Sequence, residues 1–255
     1  MIVSLTKAED VSLVGNKAFS LFNLMKGGFD VPSGFVISPS EAENEIKEYI
    51  EKCCDENKVY AVRSSSNLED TKNYSYAGLF ETFLGVKKKD LLEKIERVRD
   101  VSKDRKLLEF CKVSKKSLSD IQIAVIVQEM IDAEVAGVCF TKNPVSEKNE
   151  IIIEAGIGLG ELVVQGEINP DLYQVSKKNF KILKKRVFAQ HVKLDLREGK
   201  VPIFSYKQKL SDKRISELAK IAKKVSDSVG FECDIEWALE SKCLYLLQVR
   251  PITNG

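Results

Sequence analysis

Apolar residues along the chain switch repeatedly between helical and strand spacing, which predicts a mixed α and β class. Residues 16–26, "NKAFSLFNLMK", place Phe19, Phe22 and Leu24 at helical intervals, and Gly27-Gly28 stop the helix. "VPSGFVIS" (31–38) reads as a short strand after a turn. Ser40 followed by Glu43 has the form of a capping box opening the helix "EAENEIKEYIEKC". "VYAVR" (59–63) reads as a strand ended by Arg63, with the serines behind it serving a turn. From 87 to 112 the pattern is helical and densely charged, and this stretch is expected to separate an N-terminal part, 1–112, from a C-terminal part, 113–255. "IQIAVIVQEMI" (121–131) is apolar almost throughout, as a strand central in a sheet would be. "AEVAGVCFT" (133–141) and "NEIIIEA" (149–155) follow as strands, and "YQVSKKNFKILKK" (173–185) predicts a hairpin turning near Lys178-Asn179. "SDKRISELAKIAKKVSDSVG" is a long helix capped by Ser211 and stopped by Gly230. "ECDIEWALE" and "CLYLLQVRPI" close the pattern as two strands joined by Ser241-Lys242.

With 255 residues, 44% of them hydrophobic, the chain can bury a substantial core as one domain or two lobes. Forty basic against 38 acidic side chains leave a net charge of +2, so no broad excess of one sign points to nucleic acid or a membrane surface. The runs Lys87-Lys88-Lys89 and Lys184-Lys185-Arg186 read as solvated surface. The first residues lack the basic start and apolar stretch of a leader, and no apolar run is long enough to span a bilayer. Six cysteines form no C-x-x-C pair, and Cys139 and Cys233 sit in apolar runs like small buried hydrophobes. With one histidine, a zinc cluster is not expected, and a reduced, cytoplasmic protein is.

Candidate chemistry is spread along the chain. In the last two strands alternation puts Asp234 and Glu236 on one face, and likewise Gln248 and Arg250. A hairpin then sets Glu236 beside Gln248. One carboxylate and one amide oxygen suit magnesium, which keeps several waters and takes further ligands from phosphates, and Arg250 adds a fixed cation. The same pattern also describes the polar side of an edge hairpin. "EAGIGLGE" (154–161) runs from strand to helix, either to let backbone approach a ligand or as a tight turn. "VGNKAFSL" (14–21) puts Lys17 in a glycine-containing turn at a helix start, without the P-loop spacing. That lysine is either exposed or a point charge for a phosphate. Thr82 in "YAGLFETFLG" either donates to a phosphate or completes a strand. Arg63 in "AVRSSSNLED" either holds a phosphate or ends an edge strand. Taken together, Lys17, Arg63 and Arg250 as cations with Glu236 and Gln248 as metal ligands are what phosphoryl transfer requires, since the protein's task there is positioning and charge stabilisation.

The segments "VGNKAFSLFNLMKGGFDVPSGFVIS", "AVRSSSNLED", "YAGLFETFLGV", "VIVQEMI", "AGVCFTKNPV", "IEAGIGLGELVVQGEINPDLY" and "DIEWALESKCLYLLQVRPIT" occur in this order. They resemble the N-terminal nucleotide-binding domain of phosphoenolpyruvate synthase and pyruvate phosphate dikinase, to which domains of rifampicin phosphotransferase and the glucan water dikinases are related. The resemblance implies an α+β, ATP-grasp-like fold of two lobes with ATP bound between them, the N-terminal lobe shortened and the C-terminal one carrying the metal-binding strands. It implies that Lys17, Arg63 and Thr82 meet the phosphates, that Gln128 and the backbone around Met130 line the adenine pocket, and that Glu236 and Gln248 hold magnesium with Arg250 beside them. The chemistry implied is a dikinase-type transfer. ATP is split to AMP and two phosphates, and the β-phosphoryl passes to a histidine on a separate carrier domain that delivers it to an acceptor.

The chain departs from that family in several places. Its single histidine, His191 in "VFAQHVKL", matches no carrier motif and is expected to be structural. The chain ends at "RPITNG", where family members continue, so carrier and acceptor domains are expected as separate partners or as missing parts. The family's G-G-K-G element is Gly15-Asn16-Lys17-Ala18, its A-G-Q is Ala77-Gly78-Leu79, and the stretch between Lys17 and Arg63 is short. These departures keep open a catalytically impaired nucleotide-sensing module. An ATP-grasp ligase shares the expected fold, but "VRSS" and "QVRPIT" favour the dikinase branch.

Overall fold

The computed structural model describes residues 1–66, 82–100, 117, 121–146 and 148–252. By its internal contacts the chain forms two units: Met1–Lys26 with Pro32–Met130, and Gly27–Val31 with Ile131–Gly255. The expected division at 112/113 lies outside the described residues, as do Ala77-Gly78-Leu79 and the charged stretch from 101 to 112.

The first unit is built on an antiparallel sheet. Its strands are β1 (Ile2–Ser4), β2 (Gly34–Ile37), β3 (Val59–Ser66), β4 (Thr82–Lys87) and β5 (Ile123–Glu129), in the order β1-β2-β5-β3-β4. The apolar run thus becomes the central strand, with neighbours on both sides. One face presents Phe35, Ile37, Tyr60, Val62, Val125 and Val127. It is covered by α2 (Glu43–Cys53) and α3 (Leu91–Arg99) through Ile46, Ile50, Leu91, Ile95 and Val98. Helix α1 (Val11–Lys26) packs on β3 and β5, burying Val14, Ala18, Leu21, Phe22 and Leu24.

Two expectations change here. Ser40 does not cap α2: the N-cap is Ala42, without a side-chain bond, and Glu43 is the first helical residue. The residues before it are committed elsewhere. Ser38 O accepts the Glu41 amide at 3.2 Å, and Arg99 donates to the carbonyls of Pro39 (2.8 Å) and Glu41 (2.7 Å). Nor does Arg63 end its strand. β3 continues through Ser64, Ser65 and Ser66, which pair with Val125, Ala124 and Ile123 and are fully buried. Hydroxyls that small fit a packed face once their hydrogen bonds are made.

The second unit carries an antiparallel sheet of β6 (Val135–Phe140), β7 (Glu150–Ile157), β8 (Asp171–Ser176), β9 (Ile182–Arg186), β12 (Cys233–Glu240) and β13 (Cys243–Pro251), ordered β13-β12-β6-β7-β8-β9. A separate ribbon pairs β10 (Gln190–Asp195) with β11 (Gly199–Ser205), and the short helix α4 (Glu161–Val164) follows β7. The long helix α5 (Asp212–Val229) starts at Ser211, whose side chain accepts the Arg214 amide, and stops at Gly230 in the left-handed conformation. It packs across the sheet, burying Ile215, Leu218, Ala219, Ala222 and Val225. The row Ile235, Cys139, Ile153, Tyr173 is fully buried, with Trp237 next along β12.

A charged pair is buried beside this core. Asp171 and Lys209 have no side-chain exposure, and their charged atoms lie 2.8 Å apart. The carboxylate also accepts from the Tyr173 hydroxyl (2.7 Å) and the amides of Phe188 (3.0 Å) and Lys209 (2.9 Å), and the ammonium donates to Phe188 O. Loss of one partner strands the other charge in a dry site. Asp171→Ala is therefore expected to destabilise the second unit by about 3–5 kcal/mol. Urea unfolding followed by the fluorescence of Trp237, the chain's single tryptophan, reads that unit directly; a loss below about 1 kcal/mol would contradict it.

Candidate functional site

In the first unit, strand periodicity decides which side chains meet. Tyr60 and Val62 face the helices α2 and α3, so Ala61, Arg63 and Ser65 face the other way. Arg63 is paired with Thr82 on β4 and with Ile126 on β5. Gln128 is opposite Ala61, on the same face. Three of the residues expected at the phosphates or the base therefore share one sheet face, with Arg63 and Thr82 as direct cross-strand neighbours. Arg63 is half-buried and Thr82 exposed.

Lys17 reaches the same region from α1. That helix breaks at Gly15, whose φ of 74° and ψ of 169° are non-helical, and resumes behind it. Lys17 and Ala18 thus lie in the first turn of the second segment. The Ala18 amide donates to Ser65 Oγ at 3.1 Å. A Cβ added at Gly15 would lie 2.2 Å from the Ser65 carbonyl oxygen, so only glycine lets the turn lie this close to β3.

Gln128 lies near the end of β5 and Met130 just beyond it. Gln128 is buried, and its amide nitrogen donates to Pro32 O at 3.1 Å. The Met130 amide donates to Val59 O at 3.0 Å, and its sulfur accepts the Gly85 amide at 2.9 Å.

In the second unit the face away from α5 carries the polar pair. Glu236 is opposite Gln248, and Asp234 is opposite Arg250. The pairing depends on a bulge. From the Ser241-Lys242 turn the register runs evenly to Trp237 opposite Leu246, then shifts so that Glu236 meets Gln248 rather than Leu247. Arg250 is bound to Asp234: Nε donates at 2.7 Å and Nη2 lies at 2.6 Å from the same oxygen. The other oxygen, Oδ1, is buried without a hydrogen-bond partner among the described residues. Burial raises the Asp234 pKa, and Arg250 opposes the shift without cancelling it. Glu154 lies on the same face, two strands from Glu236 across Val138, and its pKa is raised by burial first and by Asp234 second.

These donors fit magnesium. A carboxylate and an amide oxygen stand opposite one another, and a buried carboxylate oxygen nearby lacks a partner that a cation or its water would supply. Among the described residues no group of three or more His, Cys, Asp or Glu forms a metal cage. A small protein share of the ligands is what magnesium accepts when phosphates complete the shell.

The glycine-rich turn behaves as a turn. Gly158 (φ 87°) donates its amide to Glu134 O at 3.0 Å, and Leu159 donates to Leu194 O at 2.9 Å. A Cβ at Gly158 would meet Leu194 O at 2.5 Å. Gly158 thus serves the close approach of β10. His191 stands exposed on β10, its ring centroid 5.2 Å from that of Phe204, outside any core. Sequence reasoning passed over Ser65 and Asp234. The strand alternation that selected Glu236 also marked Asp234, whereas nothing local marks Ser65, whose partner lies 47 residues away.

A model of the pyruvate phosphate dikinase AMP/ATP-binding domain matches residues 38–255. Among curated relatives, the "uncharacterized phosphotransferase YvkC" of Bacillus subtilis is 31% identical, over 96% of this chain and 34% of that protein. The phosphoenolpyruvate synthase of Pyrococcus furiosus is 33% identical, over 99% of this chain and 33% of that protein. The chain spans between 22% and 45% of the length of the first such relatives. A D-alanine–D-alanine ligase structure from Helicobacter pylori aligns over 94% of this chain and 54% of that one, with 12% identity and a TM-score of 0.47. No described helix is long and apolar enough to cross a membrane.

If Glu236 and Gln248 hold a divalent cation, Glu236→Gln should weaken Mn(II) retention in the presence of ATP at least tenfold, read by electron paramagnetic resonance of the free ion. Unchanged retention would remove the pair as ligands.

Proposed function

The chain belongs to the pyruvate phosphate dikinase AMP/ATP-binding domain family, and on that premise we propose that it binds Mg-ATP and passes the β-phosphoryl to a histidine of a separate carrier domain. The observation that carries this reading is the grouping on the first unit. Arg63 lies directly across from Thr82, with the Lys17 turn fastened to the same strand. Two cations and a hydroxyl are an apt set for a polyphosphate. On the second unit, Glu236 and Gln248 are the proposed metal ligands, with Arg250 as a cation on the same strand. The ATP-grasp plan inferred for such domains is consistent with two mixed units, each built on an antiparallel sheet.

The reaction balances as follows. The bond from the α,β-bridging oxygen to the β-phosphorus breaks as a phosphorus–nitrogen bond forms on the carrier histidine, whose ring gives up a proton to solvent, and the β–γ bond breaks as water or phosphate takes the terminal phosphoryl. AMP leaves. In this scheme Arg63 and Lys17 neutralise charge on the moving phosphoryl, and Thr82 donates a hydrogen bond to a phosphate oxygen. Asp234 holds Arg250 through one oxygen, fixing the direction of its guanidinium. Magnesium, when bound, would offset phosphate charge and orient the chain of phosphates. His191 does not serve as the carrier, so the accepting histidine comes from elsewhere. The relatives' greater length supports carrier and acceptor domains as partners.

The test is incubation with β-labelled ATP, magnesium and histidine carrier domains taken from the longer relatives. AMP and acid-labile label on the carrier are expected. Lys17→Ala and Arg63→Ala should each cut the rate about 100-fold or more with unchanged circular dichroism. ATP binding without AMP would assign a nucleotide-sensing module instead, and ADP as product would point to ligase chemistry.

A further inference from the structure

Ser65 lies two residues beyond Arg63 on β3 and faces the same side. It is fully buried, yet its hydroxyl is not part of the sheet ladder. It accepts the Ala18 amide at 3.1 Å, across 47 residues of sequence. That amide belongs to the first turn of the resumed helix, where backbone donors have no intrahelical partner. Such donors are usually satisfied by a side chain just ahead of the helix. Here that place is taken by Gly15, which has no side chain and whose Cβ position is filled by Ser65 itself. The cap is therefore supplied by a strand.

We infer that Ser65 is a positioning residue for Lys17. Its one buried hydrogen bond, with the close approach of Gly15, fixes the start of the helix against the strand that carries Arg63. The backbone positions from which the two cationic side chains extend are then fixed relative to one another. A bound polyphosphate meets both charges already placed, which lowers the entropy lost on binding. The inference rests on the reading that Lys17 and Arg63 contact phosphates. It adds the residue that sets their separation.

Ser65→Ala removes the acceptor and little volume. Ser65→Cys keeps the volume and leaves only a weak acceptor. Both are expected to raise the Kd for ATP about tenfold while leaving the Kd for adenosine within twofold. In the Lys17→Ala background, Ser65→Ala should change the ATP affinity less than twofold, because the residue it positions is gone. Amide exchange at Ala18 should accelerate in Ser65→Ala, and circular dichroism of both variants should stay that of the parent. Full ATP affinity in both Ser65 variants, an equal loss for adenosine, or an equal loss with and without Lys17 would each overturn the inference. If the parent chain bound no ATP, the site reading of the preceding subsection would fall and this inference with it. That outcome is distinct from a parent that binds ATP regardless of Ser65.

Discussion

A β-strand shows alternate side chains to opposite faces, and both sheets of this chain depend on that constraint. In the first unit one face of the sheet is apolar and lies under α2 and α3, which forces the intervening residues Ala61, Arg63 and Ser65 to the other side. In the second unit the fully buried row through Ile235 and Cys139 lies under α5, which turns Asp234 and Glu236 away from the helix. Burial of the core thus also decides which polar side chains share a face. A slip of one residue in β3 or β12 would bury an arginine or a glutamate and expose a core residue, at a cost no site contact could offset.

Charge is handled locally. The buried Asp234 shares one oxygen with Arg250 and leaves the other without a partner among the described residues. An arginine so held is directional but partly neutralised. The carboxylate, its pKa raised by burial, has an orphan oxygen that only a cation, a water or a proton can satisfy. By contrast Asp171 has its oxygens filled by Lys209, Tyr173 and two amides, which makes it a fastening of the core. Two buried aspartates in one unit are told apart by whether their hydrogen-bonding capacity is used up.

Much of this was legible from residue order. The periodicity located the central strand β5, the capped helix α5 and the last hairpin, since each has local signals that tertiary contacts reinforce. Alternation put Asp234 with Glu236 and Gln248 with Arg250, but bringing Glu236 opposite Gln248 also took a bulge. The end of β3 was misread because three serines resemble a turn, and only the presence of β5 beside them makes a buried strand of them. The start of α2 falls at Ala42 and not at Ser40, and the carbonyls of Pro39 and Glu41 ahead of it are held by Arg99, far along the chain. The Gln128 amide nitrogen bonds Pro32, and the Met130 amide and sulfur bond Val59 and Gly85, partners that no short window shows.

The bulge in β13 shows why a correct pairing can rest on an unstated condition. Counting evenly from the Ser241-Lys242 turn puts Leu247 opposite Glu236, and Gln248 on the face with Ile235. The structure inserts one extra residue between Gln248 and Leu246, and only then do the carboxylate and the amide share a face. Leu247 packs with the small cluster of Ala133, Ala136 and Ala238, so an apolar contact helps to hold the irregularity in place. A bulge sacrifices ladder hydrogen bonding, which is tolerable at β13 because it is an edge strand of its sheet. The pairing of Glu236 with Gln248 thus depends on an irregularity that a central strand would accept less readily, and Gln248 and Arg250 stand where the shifted register needs them.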